Sequence, residues 1–135
     1  GVARMTPRWT DDRAFYAVLA LLLGHELDAV ARHEWRLLPV LRSLPDGVAG
    51  RLFVALHVPL CLSLFALDAS SSDRTRRRFR LAVDAFAVVH AGLHVWFGDH
   101  PDDEFDAPSS RLLIHGAAAA GLLHGLLSMR NGERS

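Results

Sequence analysis

Residues 112–129 read LLIHGAAAAGLLHGLLSM, and residues 52–67 read LFVALHVPLCLSLFAL; neither stretch contains an Asp, Glu, Lys or Arg. A helix on the surface of a soluble protein carries charged residues at every third or fourth position of its outer face. These two stretches have no such face, and their Leu and Ala content favours helices over strands. A membrane-spanning helix needs about 20 mostly apolar residues. Both stretches therefore indicate helices that cross a membrane.

Two further apolar segments complete a set of four, divided by polar turns rich in Pro, Gly, Ser and Asp. The predicted helices cover about residues 9–41, 48–67, 79–98 and 111–129. A chain of 135 residues is expected to form one domain, here residues 1–135. The sequence thus predicts an all-α fold, an up-down four-helix transmembrane bundle. A soluble bundle remains the alternative, because mean hydropathy is only mildly positive and Glu26, Asp28 and Arg32 interrupt the first helix.

The composition excludes several classes of protein. Fifteen Arg, no Lys and fifteen acidic residues give a formal net charge of zero, which argues against a nucleic-acid binder. The single cysteine, Cys61, excludes a disulfide framework and a thiolate-rich zinc site. Eight histidines are the unusual feature of so short a chain.

The charged residues are divided between the two ends of the predicted bundle. In an up-down arrangement, one end holds both termini, the middle loop and ten arginines: Arg4, Arg8, Arg13, Arg74, Arg76, Arg77, Arg78, Arg80, Arg130 and Arg134. The other end holds three arginines and an acidic loop: Arg42, Arg51 and Arg111, with Asp99, Asp102, Asp103, Glu104 and Asp106. Arginine is enriched on the cytoplasmic side of membrane proteins. We therefore expect a multi-pass protein of the cell membrane with both termini in the cytoplasm.

Ionisable side chains inside membrane segments are costly and usually face partners in the interior. With a rise of about 1.5 Å per residue, one set falls in a band roughly 15–24 Å from the cytoplasmic side. The predicted metal ligands are the members of this set: His25, Asp28, His57, His90, His94 and His115. All four helices contribute a histidine to this layer, which predicts a buried His/Asp metal centre.

The spacing of His90 and His94 strengthens this prediction, because residues four apart lie one turn apart on one face and can chelate one ion. Imidazole and carboxylate ligands without thiolate suit metals such as zinc and iron, and the ligand number allows one ion or two. Glu26 or Asp28 could act as the base of a hydrolase. An oxidoreductase is equally open.

Two rivals of other classes remain. The first is a haem b electron carrier with His25 and His90 as axial ligands. The second is a module that binds or transports a metal ion or a proton without catalysis. Outside the layer, we expect His124 to pair with Asp84, His33 to serve as a hydrogen-bond partner, and His100 to lie at the surface.

The segments His25-Glu26-Leu27-Asp28 and His33-Glu34-Trp35-Arg36 carry a family resemblance. In these two segments, the chain resembles small prokaryotic four-helix integral membrane proteins of uncharacterised function. It is more distantly similar to the H-x-x-E-E membrane family, in which His25 matches the motif histidine, whereas Asp28 and Ala29 stand where two Glu are expected. The resemblance implies a membrane fold and no established activity.

These observations together predict a membrane metalloprotein, as a hydrolase or an oxidoreductase of a lipid-soluble substrate. The expected partners are the lipid bilayer and a small lipid-soluble molecule, with no nucleic acid. A homodimer is also open, because four short helices with polar interiors could pair with a second copy.

Overall fold

The computed structural model describes residues 8–70 and 72–132, with the side chains of 11–70 and 72–130. This part of the chain contains four α-helices and no strand: α1 (Arg8–Ala31), α2 (Asp46–Asp68), α3 (Asp73–Phe97) and α4 (Pro108–Gly132). The all-α, four-helix prediction is confirmed. Arg4 and Arg134, which belong to the predicted cytoplasmic charge, lie outside the described residues.

Three segments of the described chain are long and apolar enough to cross a membrane: Asp11–Ala31, Asp46–Asp68 and Pro108–Arg130. The helix α3 is not among them, because five arginines and an aspartate occupy its first eight residues and shorten its apolar part. Its second half still exposes large apolar side chains, including Val89, Val95 and Trp96. Three of the four helices are thus suited to a membrane by their length and composition.

The first helix ends ten residues earlier than the sequence predicts. The prediction continued it to Leu41, but α1 stops at Ala31, and only 3-10 turns at Glu34–Arg36 and Leu41–Ser43 follow. His33 has φ of 55°, in the left-handed region, where a continuing α-helix is impossible. Its ring is held by Glu104 of the α3–α4 loop, 3.2 Å away. This tertiary contact stabilises a backbone conformation that a non-glycine residue adopts at a cost.

The helix α4 lies between α1 and α3 and makes most of the interhelical contacts. These three helices share a buried apolar core, which consists of Phe15, Val18, Leu19, Leu22, Val83, Ala87 and Ala117. At Gly121 the backbones of α3 and α4 come so close that a Cβ atom would stand 3.2 Å from the carbonyl oxygen of Asp84. The bundle is therefore a tight three-helix unit.

The helix α2 lies at the edge of this unit, and only Ala49 and Phe53 of its residues are buried. Its exposed residues include many large apolar side chains: Leu52, Val54, Leu56, Val58, Leu60, Leu62, Phe65 and Leu67. One face, with His57, Cys61, Leu64 and Asp68, is half-buried towards the bundle. An apolar helix with so little protein contact is suited to contact with lipid.

Candidate metal centre

Four side chains from three parts of the chain converge near one end of the bundle. They are His25 of α1, His90 and His94 of α3, and Glu34, which follows α1. Each offers one ligand atom, and these atoms all lie within 4.8 Å of one another. We call this group the His/Glu cluster. Among the described residues, no other group of His, Cys, Asp and Glu is arranged in this way.

The three imidazoles all present Nε2 to the centre of the cluster. The Nε2 atoms of His25 and His90 are 2.7 Å apart, and those of His90 and His94 are 3.2 Å apart. Ligand nitrogens about 2.0–2.1 Å from a tetrahedral ion are about 3.3–3.4 Å from each other. The separation of His90 and His94 lies close to this value, whereas His25 and His90 would move apart by about 0.6 Å to seat an ion among the rings.

Hydrogen bonding alone leaves these contacts poorly satisfied. A neutral imidazole has one N–H and one lone pair, so the single Nε2 of His90 cannot serve both neighbouring rings in good geometry. Within the described residues, Nδ1 of His25 and of His94 has no hydrogen-bond partner. The polar contacts of these rings are thus concentrated at Nε2. A cation at the centre would accept the lone pairs of all three rings.

Glu34 supplies the negative charge of the cluster. One carboxylate oxygen is 3.4 Å from Nε2 of His25, and the other is 3.9 Å from Nε2 of both His90 and His94. Burial raises the pKa of Glu34, but the close contact with Nε2 of His25 and the electrostatic interaction with the three histidines outweigh it. The pKa is held below its usual value, so Glu34 is a carboxylate.

The cluster is shielded by aromatic rings. Phe105 of the α3–α4 loop is buried, and its ring centre lies 4.6 Å from that of His94 and 5.4 Å from that of His25. On the other side, Phe86 stacks on His90 at 5.2 Å and is itself half exposed. The cluster is thus closed by the loop and borders the outer surface of α3.

Glu34 is not among the ligands predicted from the sequence, because the predicted first helix continues through this residue. The left-handed turn at His33 reverses the chain, which brings Glu34 back against His25. Trp35 and Arg36 hold the turn, since both donate hydrogen bonds of 2.9 Å to Asp46 at the start of α2. His33 is neither Gly nor Pro, so the local sequence does not predict this turn.

Three residues predicted as ligands lie outside the His/Glu cluster, and this corrects the single layer drawn from helix depth. Asp28 pairs with Arg32 at 3.3 Å. His57 bonds to Glu26 on α1, and His115 is exposed on α4. Depth along a helix does not determine these contacts by itself, because the rotation of each helix about its axis decides which side chains meet.

Glu26 and His57 form a second polar contact beside the cluster. Nε2 of His57 is 2.7 Å from a carboxylate oxygen of Glu26, and Nδ1 of His57 is 2.6 Å from the carbonyl oxygen of Phe53. Since a carbonyl can only accept, Nδ1 carries a hydrogen and one further proton is shared between Nε2 and Glu26. Glu26 also interacts electrostatically with Glu34 and His25. The pair therefore borders the cluster.

The remaining histidines are placed as follows. Nδ1 of His124 is 2.6 Å from a carboxylate oxygen of Asp84, which confirms the predicted pair. His33 is a hydrogen-bond partner, as predicted, through Glu104. His100 lies in the α3–α4 loop, half-buried, with Asp102 3.8 Å away.

A sequence profile for a family of unknown function (DUF6713) matches residues 11–131, nearly the whole chain. The chain belongs to this family. Its assignment agrees with the expected membership of an uncharacterised family, and it names no activity. No curated protein and no solved structure matches the chain significantly. The DUF6713 protein must therefore be understood from its own geometry.

Proposed function

We propose that this DUF6713 protein is an integral membrane metalloprotein that binds one transition-metal ion, zinc or iron, through His25, His90, His94 and Glu34. The observation that carries the proposal is the convergence of three Nε2 atoms and one carboxylate within 4.8 Å. A buried carboxylate among three imidazoles gives the net charge and ligand types that suit these ions. The spans of α1, α2 and α4 support placement in a membrane.

The same distances favour a bare ion over haem b. Two axial nitrogens on opposite faces of a haem are about 4 Å apart, twice a metal–nitrogen bond. Nε2 of His25 and of His90 are 2.7 Å apart, and His94 stands beside them. One ion also suits the cluster better than two, because it contains a single carboxylate to balance the charge.

A reaction at this centre would draw on the Glu26–His57 pair. A bound ion would polarise a substrate or a water molecule, and a base beside it would accept a proton. Glu26 contacts Nε2 of His57 at 2.7 Å and interacts electrostatically with Glu34 and His25, so its carboxylate lies beside the cluster. We therefore propose Glu26, with His57, as the base of a metal-dependent hydrolase or oxidoreductase. Asp28, the other predicted base, is engaged by Arg32.

The surroundings support a lipid-soluble substrate. His90 lies next to Phe86, which is 52% exposed on a face of α3 that also exposes Val89 and Leu93. This face would contact acyl chains in a bilayer, so a small apolar molecule dissolved in lipid could reach the cluster past Phe86.

The protein's orientation is proposed from its charge. The His/Glu cluster lies near the carboxyl ends of α1 and α3, whereas the arginine-rich start of α3 lies at the opposite end. Under the positive-inside rule the arginine end is cytoplasmic, in the cell membrane. The metal centre would then lie near the outer surface of that membrane.

Metal analysis of the purified protein tests the proposal. After chelator-free purification in detergent and dialysis, we expect about one zinc or iron per chain, since the four ligands define one site. His94→Ala should lose most of this metal. His115→Ala is the comparison variant, because the sequence predicts His115 as a ligand whereas its side chain is exposed on α4 outside the cluster. It interacts with His94 only electrostatically, so the variant should keep most of the metal.

An absorption spectrum of the same sample discriminates the rival cofactor. A Soret band would overturn the bare-ion proposal in favour of haem. Equal metal content in the two alanine variants would show that the His/Glu cluster is not the binding site.

A further inference from the structure

A second group of polar side chains is buried near the opposite end of the bundle. Nδ1 of His124 is 2.6 Å from Asp84, and Nε2 of His124 is 3.3 Å from the hydroxyl of Ser128. That hydroxyl lies 3.1 Å and 3.2 Å from the two carboxylate oxygens of Asp11. Asp84, His124, Ser128 and Asp11 thus form one continuous chain across α3, α4 and α1. We call it the buried polar chain.

The buried polar chain runs from a closed end to an open end. The side chain of His124 is fully buried, and that of Asp84 is 7% exposed. The side chain of Asp11, near the start of α1, is 24% exposed and can meet water. Within the described residues, Oδ1 of Asp84 is buried without a hydrogen-bond partner. The chain therefore links an accessible carboxylate to one with spare acceptor capacity inside the bundle.

The groups around the buried polar chain leave its hydrogen bonds intact. Phe15 of α1 packs on His124 with ring centres 5.3 Å apart. Arg77 of α3 donates to the backbone carbonyl of Ser128 at 3.1 Å, and Arg80 of α3 bonds instead to Asp12 and Asp68. Arg77 and Arg80 are thus bonded to groups other than the side chains of His124 and Asp84.

Counting hydrogens shows that these contacts admit more than one arrangement. The hydroxyl of Ser128 has one hydrogen, which it can donate either to Asp11 or to Nε2 of His124. When it donates to Asp11, Nε2 must carry a hydrogen for its contact with Ser128; when it donates to His124, Nε2 must be bare. Rotation of one hydroxyl thus connects two protonation states of His124.

We propose that the buried polar chain is a proton relay between the open end at Asp11 and Asp84 inside the bundle. Intramembrane Asp and His residues commonly mark such relays. It is separate from the His/Glu cluster and does not depend on a metal there.

The transfer conserves atoms and charge. An O–H bond of a hydronium ion breaks, its proton binds the carboxylate of Asp11, and a water molecule is left. The new O–H bond of Asp11 breaks as its proton passes to the oxygen of Ser128, and the original hydroxyl proton of Ser128 forms a bond with bare Nε2 of His124. The N–H bond at Nδ1 then breaks, and its proton bonds to the carboxylate of Asp84. One proton has moved inward, and no electron is exchanged.

Proton exchange at His124 tests the relay. In the full-length protein in detergent micelles, NMR measures the rate at which the Nδ1 hydrogen of His124 exchanges with water, with His124→Gln to assign the signal. In Ser128→Ala we expect exchange to slow about tenfold, because one hydrogen-bonded link of the path is lost. Ser128→Thr keeps a hydroxyl and should restore the rate.

The matched control is Ser63→Ala. Ser63 donates a hydrogen bond of 2.8 Å to the carbonyl of Pro59 on exposed α2, away from the buried polar chain. It should exchange like the wild type. Asp11→Asn keeps an acceptor for Ser128 but binds no proton, and it should also slow exchange. If Ser128→Ala loses its helical circular-dichroism signal and is therefore unfolded, Asp11→Asn by itself tests the relay.

A purely structural role gives the opposite result. Loss of the Ser128 hydroxyl would then loosen the packing around His124 and speed its exchange. Faster or unchanged exchange in Ser128→Ala, or unchanged exchange in Asp11→Asn, would overturn the relay.

Discussion

Replacement of Glu34 by glutamine tests whether the carboxylate ligand is Glu34, as the structure indicates, or Asp28, as the sequence predicts. Glutamine keeps the size of the side chain but removes the only carboxylate of the His/Glu cluster. Glu34 lies 3.4 Å from His25 and 3.9 Å from both His90 and His94, so the change removes a ligand adjacent to all three rings. Asp28→Asn is the matched variant, because the sequence predicted Asp28 as the carboxylate ligand.

The expected magnitude follows from linkage between binding and stability. Loss of a residue that merely orients a metal ligand costs about 10–100-fold in affinity, so loss of Glu34 itself should cost at least about 100-fold. With metal at about 100 times the wild-type Kd, the metal stabilises the wild type by about 2.7 kcal/mol. In Glu34→Gln the same concentration supplies only about 0.4 kcal/mol. The metal-induced rise in Tm should therefore be smaller by about 5–10 °C.

Thermal unfolding in detergent, followed by circular dichroism with and without metal, measures this difference. Each variant is compared with its own metal-free form, so any change in the stability of the metal-free protein cancels. Asp28→Asn should keep the wild-type rise in Tm, because Asp28 pairs with Arg32 and does not belong to the His/Glu cluster. A full metal response in Glu34→Gln, or its loss in Asp28→Asn, would refute the assignment of Glu34.

Three further predictions concern the contacts that support the site. A Cβ atom on Gly50 would stand 3.0 Å from the ring of Trp35, so Gly50→Ala should lower the free energy of unfolding by about 1–3 kcal/mol. It should also weaken metal binding, because it displaces the turn that carries Trp35 and Glu34; a wild-type Tm and metal affinity would contradict this. In a double-mutant cycle of thermal unfolding, Glu26→Gln and His57→Ala should show an interaction free energy of about 1 kcal/mol, the strength of a polar contact between membrane helices. Additive effects would show that this pair does not stabilise the packing of α2 on α1. Arg80 is buried between Asp12 and Asp68, so Arg80→Met should lower the free energy of unfolding by about 1–2 kcal/mol, because half-buried Asp68 loses its charged hydrogen-bond donor. An unchanged unfolding midpoint in denaturant would show that this ion pair contributes nothing.

The helices were predictable because their signal is local. Uninterrupted apolar runs such as residues 112–129 bury their backbone polar groups only as helices, whatever surrounds them. The paired face of His90 and His94 follows from helical geometry in the same way, and their Nε2 atoms lie 3.2 Å apart. The contact of His124 with Asp84 was predictable from depth, since both lie at similar levels of adjacent helices.

The end of α1 was not predictable from local residues. His33 takes a left-handed backbone because Glu104, 71 positions later, holds its ring. Residues 32–41 carry no strong helix breaker before Pro39, so their own propensity allowed the helix to continue. The position of Glu34 in the His/Glu cluster depends on this distant contact.

The sequence by itself determined four helices, an apolar character suited to a membrane, and the supply of imidazole and carboxylate groups, because each depends on residue type and on the fixed rise and turn of a helix. The tertiary structure alone decided which of these groups meet. Rotation of α2 and α4 turned His57 and His115 away, and reversal of the chain after Ala31 replaced Asp28 by Glu34. Such choices are made by packing between distant segments, and the angle at which one helix faces another is not written in the residues of either helix alone.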